Sequence, residues 1–292
     1  MNILYDLKQQ YKVGDLTLKL IFWNIILFVF PVFTVYLLKI GGTEFNIYEW
    51  VALSSNFKQL FCRPWSLISY CFFHSSFVHL IFNMLMLHFA GRIFTTYFTQ
   101  KQLLSVYLLG GFFAGLIYIF TYLLLPSLST KTVLLVGASA SIMAIVFATA
   151  TYQPYMRVRL VLFGNIYVWQ IALAFLIIDL VQLPLENTGG HISHLGGAFF
   201  GFIYIKLLQK GFDLGKGLNW FLDRLVGVFS VKKSAPFKSV YKNVTPANEI
   251  KSRIIRKDKT QQQIDEILDK ISQSGYESLT KEEKEFLFRA GK

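Results

Sequence analysis

Long stretches without charge decide what this chain can become. Residues 20–38 lie between Lys19 and Lys39 with no charged side chain, and residues 102–125 are likewise uncharged up to Pro126. A bilayer core of about 30 Å takes roughly 20 apolar residues of helix to cross. Inside it every backbone N–H and C=O has to be satisfied within the segment, so such runs form α-helix. Further runs follow at 77–89, ended by Arg92, and at 133–152, 160–183 and 189–208. The expected fold is therefore all-α, a polytopic membrane bundle of six transmembrane spans, with Pro31 a tolerable kink in the first. Composition agrees: 54% of the side chains are hydrophobic and the mean hydropathy is +0.46, too apolar for a domain that keeps a charged, water-facing surface.

The formal net charge of +12 raises nucleic acid as a partner, but eighteen of the 29 Lys and Arg lie from Lys206 onward, where they read as positive charge flanking a membrane. No nucleic-acid binding is expected. Cys62 and Cys71 show none of the spacings of a structural zinc site or a disulfide framework. Residues 1–19 carry Asp6, Lys8, Lys12 and Asp15 with no short apolar core and cleavage site, so no removable signal peptide is expected and the first span should remain. Residues 39–76 form a long insertion in which Tyr48, Trp50, Trp65 and Tyr70 interleave with charges, the pattern of a partly helical loop at the headgroup level. After the sixth span, residues 209–262 read as an interfacial helix around 219–229 followed by a basic linker with Lys232, Lys233, Pro236 and Pro246. Residues 263–292 read as a small soluble helical module: Ile264, Ile267, Leu268 and Ile271 at helical spacing, a turn at Gly275, and Thr280 with Glu283 as a capping box.

The Lys and Arg of the connecting loops set an orientation. With residues 1–19 inside, one side holds Lys8, Lys12, Lys19, Arg92, Lys101, Arg157, Arg159 and the basic tail, and the other only Lys39, Lys58, Arg63 and Lys131. Both termini are then cytoplasmic, as expected of a multi-pass protein in a bacterial inner (plasma) membrane. The second, fourth and sixth spans all start at the outer side, which brings His79 and Asn83, Ser139, and His194 to one depth, within roughly one leaflet at about 1.5 Å per residue.

Ser139 lies in V-G-A-S-A-S-I-M and His194 in H-I-S-H-L-G-G-A-F-F-G, both rich in small residues. A lone serine in a membrane helix usually bonds its own backbone. Here Ala140, Ala144 and Ala148 form a small-residue ridge, and Gly197 with Gly201 a G-x-x-x-G, which allows two helix backbones to approach closely enough for a short serine–histidine contact. A neutral imidazole there can take the hydroxyl proton during attack on a carbonyl and return it to the leaving amine. His79 and Asn83, at i and i+4 on one face, could donate to a developing oxyanion, or could simply join helices. Asp179 is placed in the inner half of the fifth span by loop counting and is given a structural or packing role rather than that of a third triad member, so the expected site is a Ser139–His194 dyad. His191 and His194 at i and i+3, with His74 and His79 near, tempt a zinc reading, but no H-E-x-x-H occurs and no carboxylate stands at ligand spacing, so neither metal nor any other cofactor is expected. Ser141 is a second hydroxyl two positions on, and His88 lies deeper and on another face. A transporter is disfavoured because Asp179 is the only acidic residue in a span.

In R-P-W-S-L-I-S-Y-C-F-F-H, H-L-I-F-N-M, G-A-S-A and H-L-G-G-A-F-F-G, spread over residues 63–201, the chain resembles the rhomboid family of intramembrane serine proteases. The resemblance implies Ser139 as nucleophile, His194 as its base, and His79, Asn83 and the Ser139 amide as oxyanion donors. It also implies that the fourth span enters as a loop and turns helical near Gly137, placing Ser139 at a helix N-terminus, where the dipole favours an oxyanion. Ala140 stands where the family commonly has Gly. The tail is similar to a short module appended to some bacterial rhomboids. The expected function is that of a serine endopeptidase cleaving transmembrane protein substrates in the lipid bilayer; the alternative is a catalytically silent relative that binds client transmembrane segments.

Overall fold

In a computed structural model, residues 3–125, 128, 132–160, 164–185, 187–229 and 247–290 are described. Pro126, Lys131 and the basic linker with Lys232, Lys233, Pro236 and Pro246 lie outside them. The chain divides into two compact units, Met1–Ser230 and Val231–Lys292.

The first unit opens with a short helix, α1 (Ile3–Val13), and the long α2 (Leu16–Ile40), whose first turn is capped by the Asp15 carboxylate accepting from the Leu18 amide at 2.9 Å. The insertion holds three short helices, α3 (Tyr48–Val51), α4 (Phe57–Cys62) and α5 (Ser66–Ser69), a 3-10 turn (Tyr70–Phe72) and a two-residue strand, β1 (Leu53–Ser54). Next come α6 (Phe77–Phe94) and α7 (Gln100–Leu124), the latter started by a full capping box between Thr99 and Gln102. Strand β2 (Leu134–Leu135) then leads into α8 (Ser139–Tyr152). A hairpin of β3 (Arg157–Leu160) and β4 (Gly164–Tyr167) precedes α9 (Val168–Gln182), and α10 (Thr188–Gln209) and α11 (Gly215–Phe229) complete the unit.

Among the described residues, three helices are long and apolar enough to cross a membrane: α2, α6 and α7. The apolar α8 and α9 have only 14 and 15 residues. Sequence reading starts the fifth span at Leu160, but that residue closes β3; Arg157–Leu160 pairs with Gly164–Tyr167 in an antiparallel hairpin, and helix begins only at Val168. The apolar run is continuous in sequence, yet its first part satisfies its backbone across a ladder rather than along a helix. The fourth run is also part strand and part helix, since Leu53↔Leu135 and Ser54↔Leu134 pair ahead of Ser139.

The core is where α8 lies against α7 and α10. Gly197 and Gly201 of α10 sit directly on the Ala140 and Ala144 carbonyls of α8, and a Cβ at either glycine would overlap them. The small-residue ridge and the G-x-x-x-G are thus two sides of one seam, and Ala144 is fully buried between Gly201 and Gly110 of α7. In lipid, where apolar side chains gain nothing from hiding, such backbone contact is what holds helices together. Buried polar groups add cross-ties: Asn24 of α2 donates to the Leu20 carbonyl (2.8 Å) and to the Tyr107 hydroxyl of α7 (3.3 Å), which itself donates to the Cys71 carbonyl (2.8 Å).

The expected interfacial helix belongs to the first unit rather than to the linker. Asn219 of α11 donates to the Ser105 hydroxyl of α7 at 3.1 Å and Lys101 pairs with Asp223 at 2.7 Å, while Trp220, Phe221 and Val226 stay exposed. In the second unit, α12 (Ala247–Ser274) starts well before the apolar spacing at Ile264. Gly275 turns the chain at φ +77°, and α13 (Lys281–Ala290) opens with the capping box read from sequence, Thr280 N–H to Glu283 at 2.8 Å and Glu283 N–H to the Thr280 hydroxyl at 3.2 Å. Hydrogen bonds from Lys270 and the Thr280 amide hold the half-buried Glu283 carboxyl below its ordinary pKa.

Two expectations follow. Gly201→Ala should cost about 1–3 kcal/mol of unfolding free energy in detergent, because its methyl meets backbone rather than a side chain that can turn away. Gly217→Ala, with nothing within 4 Å of the added carbon, is the control and should be neutral or slightly stabilising. Equal melting temperatures for the two variants would show that the seam tolerates separation. A chain ending at Ser230 should keep the cooperative melt of the first unit, and loss of that transition would show the units to be one folding block.

Candidate active site

Ser139 is the first residue of α8, so its amide is among those at a helix start that have no partner within the helix. The preceding Gly137 sits at φ +132°, and its amide donates to the Tyr70 carbonyl at 2.9 Å. Only glycine fits there, since a Cβ would stand 2.8 Å from Cε1 and 2.9 Å from Nε2 of His79. The insertion carries this corner: β1 pairs with β2, the Ser55 amide donates to the Val133 carbonyl at 2.9 Å, and the Tyr118 hydroxyl of α7 donates to the same oxygen at 2.9 Å.

His194 reaches Ser139 from α10, with Nε2 2.6 Å from the hydroxyl oxygen. The close seam at Gly197 makes this distance possible. The start of α10 is set by Asn187 in the left-handed region, φ 50° and ψ 40°, and by the Thr188 hydroxyl donating to the Leu183 carbonyl at 2.9 Å. On the facing side, α6 is capped by the Ser76 hydroxyl accepting from the His79 amide at 3.2 Å, which places the His79 ring beside Gly137. Its Nδ1 lies 3.1 Å from the Ser75 hydroxyl. With that hydroxyl donating, the ring proton sits on Nε2, the nitrogen beside Gly137. One turn on, Asn83 donates through Nδ2 to the His79 carbonyl at 2.8 Å.

Ser139, His194, His79 and Asn83 line one open cavity of about 630 Å³, together with apolar side chains that include Phe82 and Met86 of α6, Ile142 and Met143 of α8, and Phe175 and Ile178 of α9. Ser141 does not line it; its hydroxyl is fully buried toward Gly111 and Cys71. His88 is exposed and away from the cavity. His74 does not line the cavity but is buried edge-on behind His79, ring centroids 5.1 Å apart.

Asp179 is not set apart from the site, as its expected depth would place it. Its Oδ1 lies 2.8 Å from Nδ1 of His194 and 2.7 Å from Nδ1 of His191. The physical reason is chain direction: Asp179 is in the last turn of α9, α10 starts six residues after α9 ends, and so both ends lie at the same level as His191 and His194. The signal was available, because one acid in an apolar run is costly enough to demand a partner. A carboxylate does accompany the histidines in space, and among the described residues Asp179, His191 and His194 are the group whose ligand atoms come within 4.8 Å of one another. Their N–O separations are those of hydrogen bonds.

All of these side chains fall inside a region that known proteins share. Residues 62–211, about half the chain, match the family model described as the Rhomboid domain. The chain is also 33% identical over 151 residues to presenilin-associated rhomboid-like protein A, mitochondrial, of Danio rerio, an alignment that covers 49% of this chain and 37% of that protein. Residues 255–290 match a family of unknown function (DUF6576). With the match running from the insertion through α10 and taking in every residue that meets at the cavity, the chain belongs to the rhomboid family.

Proposed function

We propose that this protein is an intramembrane serine endopeptidase that cleaves transmembrane protein substrates, with Ser139 as nucleophile and His194 as general base. The observation that carries the reading is the 2.6 Å contact between His194 Nε2 and the Ser139 oxygen, at a helix N-terminus that opens on an apolar cavity. Six of the helices, α2 and α6 to α10, cross or enter the bilayer in this reading. Both termini are cytoplasmic and the membrane is a bacterial plasma membrane. The relative's name places that protein in mitochondria.

In the first half-reaction, the Ser139 oxygen bonds to the scissile carbonyl carbon as its proton passes to His194 Nε2. The carbonyl oxygen takes the negative charge, met by His79 Nε2–H, an Asn83 Nδ2–H and the Ser139 amide. Collapse breaks the C–N bond, and His194 gives its proton to the leaving amine. The Ser139 ester is then hydrolysed: water loses a proton to His194 as its oxygen bonds to the acyl carbon, and the departing Ser139 oxygen takes that proton back.

Ser139→Ala and His194→Ala should each abolish cleavage of a model transmembrane substrate while leaving the thermal melt unchanged, since the two groups act as a unit. A fluorophosphonate should label the parent protein at Ser139, mapped by mass spectrometry. Undiminished turnover by Ser139→Ala would sink the mechanism, and a well-folded parent that neither labels nor cleaves would point to a silent, client-binding protein. The cluster of Asp179, His191 and His194 supports one other reading, metal-assisted hydrolysis. Activity should survive EDTA; loss with recovery on adding Zn²⁺ would favour the metal.

His79 and Asn83 are separated from simple interhelical ties by which quantity changes. Loss of one oxyanion donor costs about 100-fold or more in turnover. Loss of a helix–helix hydrogen bond costs about 0.6 kcal/mol of stability and leaves chemistry intact. Asn83→Ala and His79→Ala should follow the first pattern, and a sharp fall in melting temperature with parental turnover per folded molecule would remove both from the site.

A further inference from the structure

Helix α9 buries few of its side chains; among the described residues they are Val168, Ala172 and Asp179. Asp179 is only 4% exposed on a helix whose other faces carry Leu173, Ile177 and Leu180 outward. Burying a carboxylate is costly unless donors meet it. The donors here are two imidazoles on one oxygen, His194 at 2.8 Å and His191 at 2.7 Å. An ionised carboxylate only accepts, so both rings carry their proton on Nδ1. For His194 that leaves the Nε2 lone pair for Ser139. His191 is 7% exposed, and its ring stands at 88° to that of His194 with centroids 5.8 Å apart. Neither proton transfer nor oxyanion binding uses it.

We infer that Asp179 and His191 form a positioning pair behind His194: the carboxylate holds the base in the tautomer that can accept from Ser139, and His191, bonded to the same oxygen, holds the carboxylate in place. The inference rests on the base reading of His194 above. When His194 takes the serine proton at Nε2 it becomes an imidazolium facing a fixed negative charge, and no proton moves to Asp179. Because the carboxylate is carried by α9 and the base by α10, His194 is oriented only while the last turns of α9 lie against the start of α10.

The test uses the full chain in detergent, with kcat and KM on a transmembrane substrate measured separately and normalised to the folded fraction from a thermal melt. Asp179→Asn keeps the shape and one acceptor oxygen but removes the charge. Its kcat should fall about 100-fold or more with KM nearly unchanged. His191→Ala keeps the Asp179–His194 bond and should lose about tenfold in kcat, again with KM nearly unchanged. The double variant should be no slower than Asp179→Asn alone, because His191 acts through the carboxylate. A kcat for Asp179→Asn within about threefold of the parent, or single losses that multiply in the double variant, would overturn the pair. If Asp179→Asn does not fold, His191→Ala decides alone, and an unchanged kcat refutes the inference. Failure of the base reading looks different, since Ser139→Ala or His194→Ala would then still turn over; an inactive Ser139→Ala beside a fully active Asp179→Asn defeats only the positioning pair.

Discussion

The approach of α8 and α10 along Ala140–Gly197 and Ala144–Gly201 is the contact on which the rest of the structure depends. With no Cβ on one side and the smallest on the other, the two backbones meet carbonyl to Cα. That is where tight packing gains most in a medium that offers no hydrophobic drive between helices. The seam also sets the geometry of the site. His194 sits one turn before Gly197 and Ser139 one residue before Ala140, so the backbone distance at Gly197 becomes the 2.6 Å between imidazole and hydroxyl.

A second constraint is that polar groups in an apolar medium have to find one another. Asn24, Tyr107 and the Cys71 carbonyl form a buried chain linking α2, α7 and the insertion. The insertion in turn shapes the corner of the site through the Tyr70 carbonyl on Gly137 and the β1–β2 pairing. Trp65 donates to the Trp50 carbonyl at 2.8 Å, Ser69 to the Val51 carbonyl at 2.7 Å, and Arg63 stacks over Trp50 while bonding the Glu49 carbonyl. What reads in sequence as an interfacial loop is a hydrogen-bonded scaffold whose far end orients the start of α8. Rigid support of this kind is what the oxyanion site proposed above requires.

Much of this was legible beforehand. Hydropathy locates α2, α6 and α7 to within a few residues, because the bilayer imposes length and helix on any such run. The small-residue spacings name both sides of the seam, since period 3.6 puts residues four apart on one face. Ser139, His194, His79 and Asn83, singled out in the sequence from three separate apolar runs, line one cavity. Hydropathy could not separate strand from helix in the fourth and fifth runs, because Leu134–Leu135 and Leu160 are as apolar as the helices they adjoin. It also misjudged the basic segment before Ile264, where α12 is already helical without an apolar stripe.

By itself, then, the sequence determined a helical membrane protein of the rhomboid family, the seam, and polar residues that line the cavity, because membrane burial and backbone period act on local composition. Tertiary structure alone decided which of those residues touch. Asp179 is joined to His194 and His191 by the fold of a short turn between α9 and α10, and Ser141 is turned from the cavity into the α7 packing by its position on α8. A hydrogen bond depends on distances of tenths of an ångström set by every helix at once. No spacing along one chain carries that information.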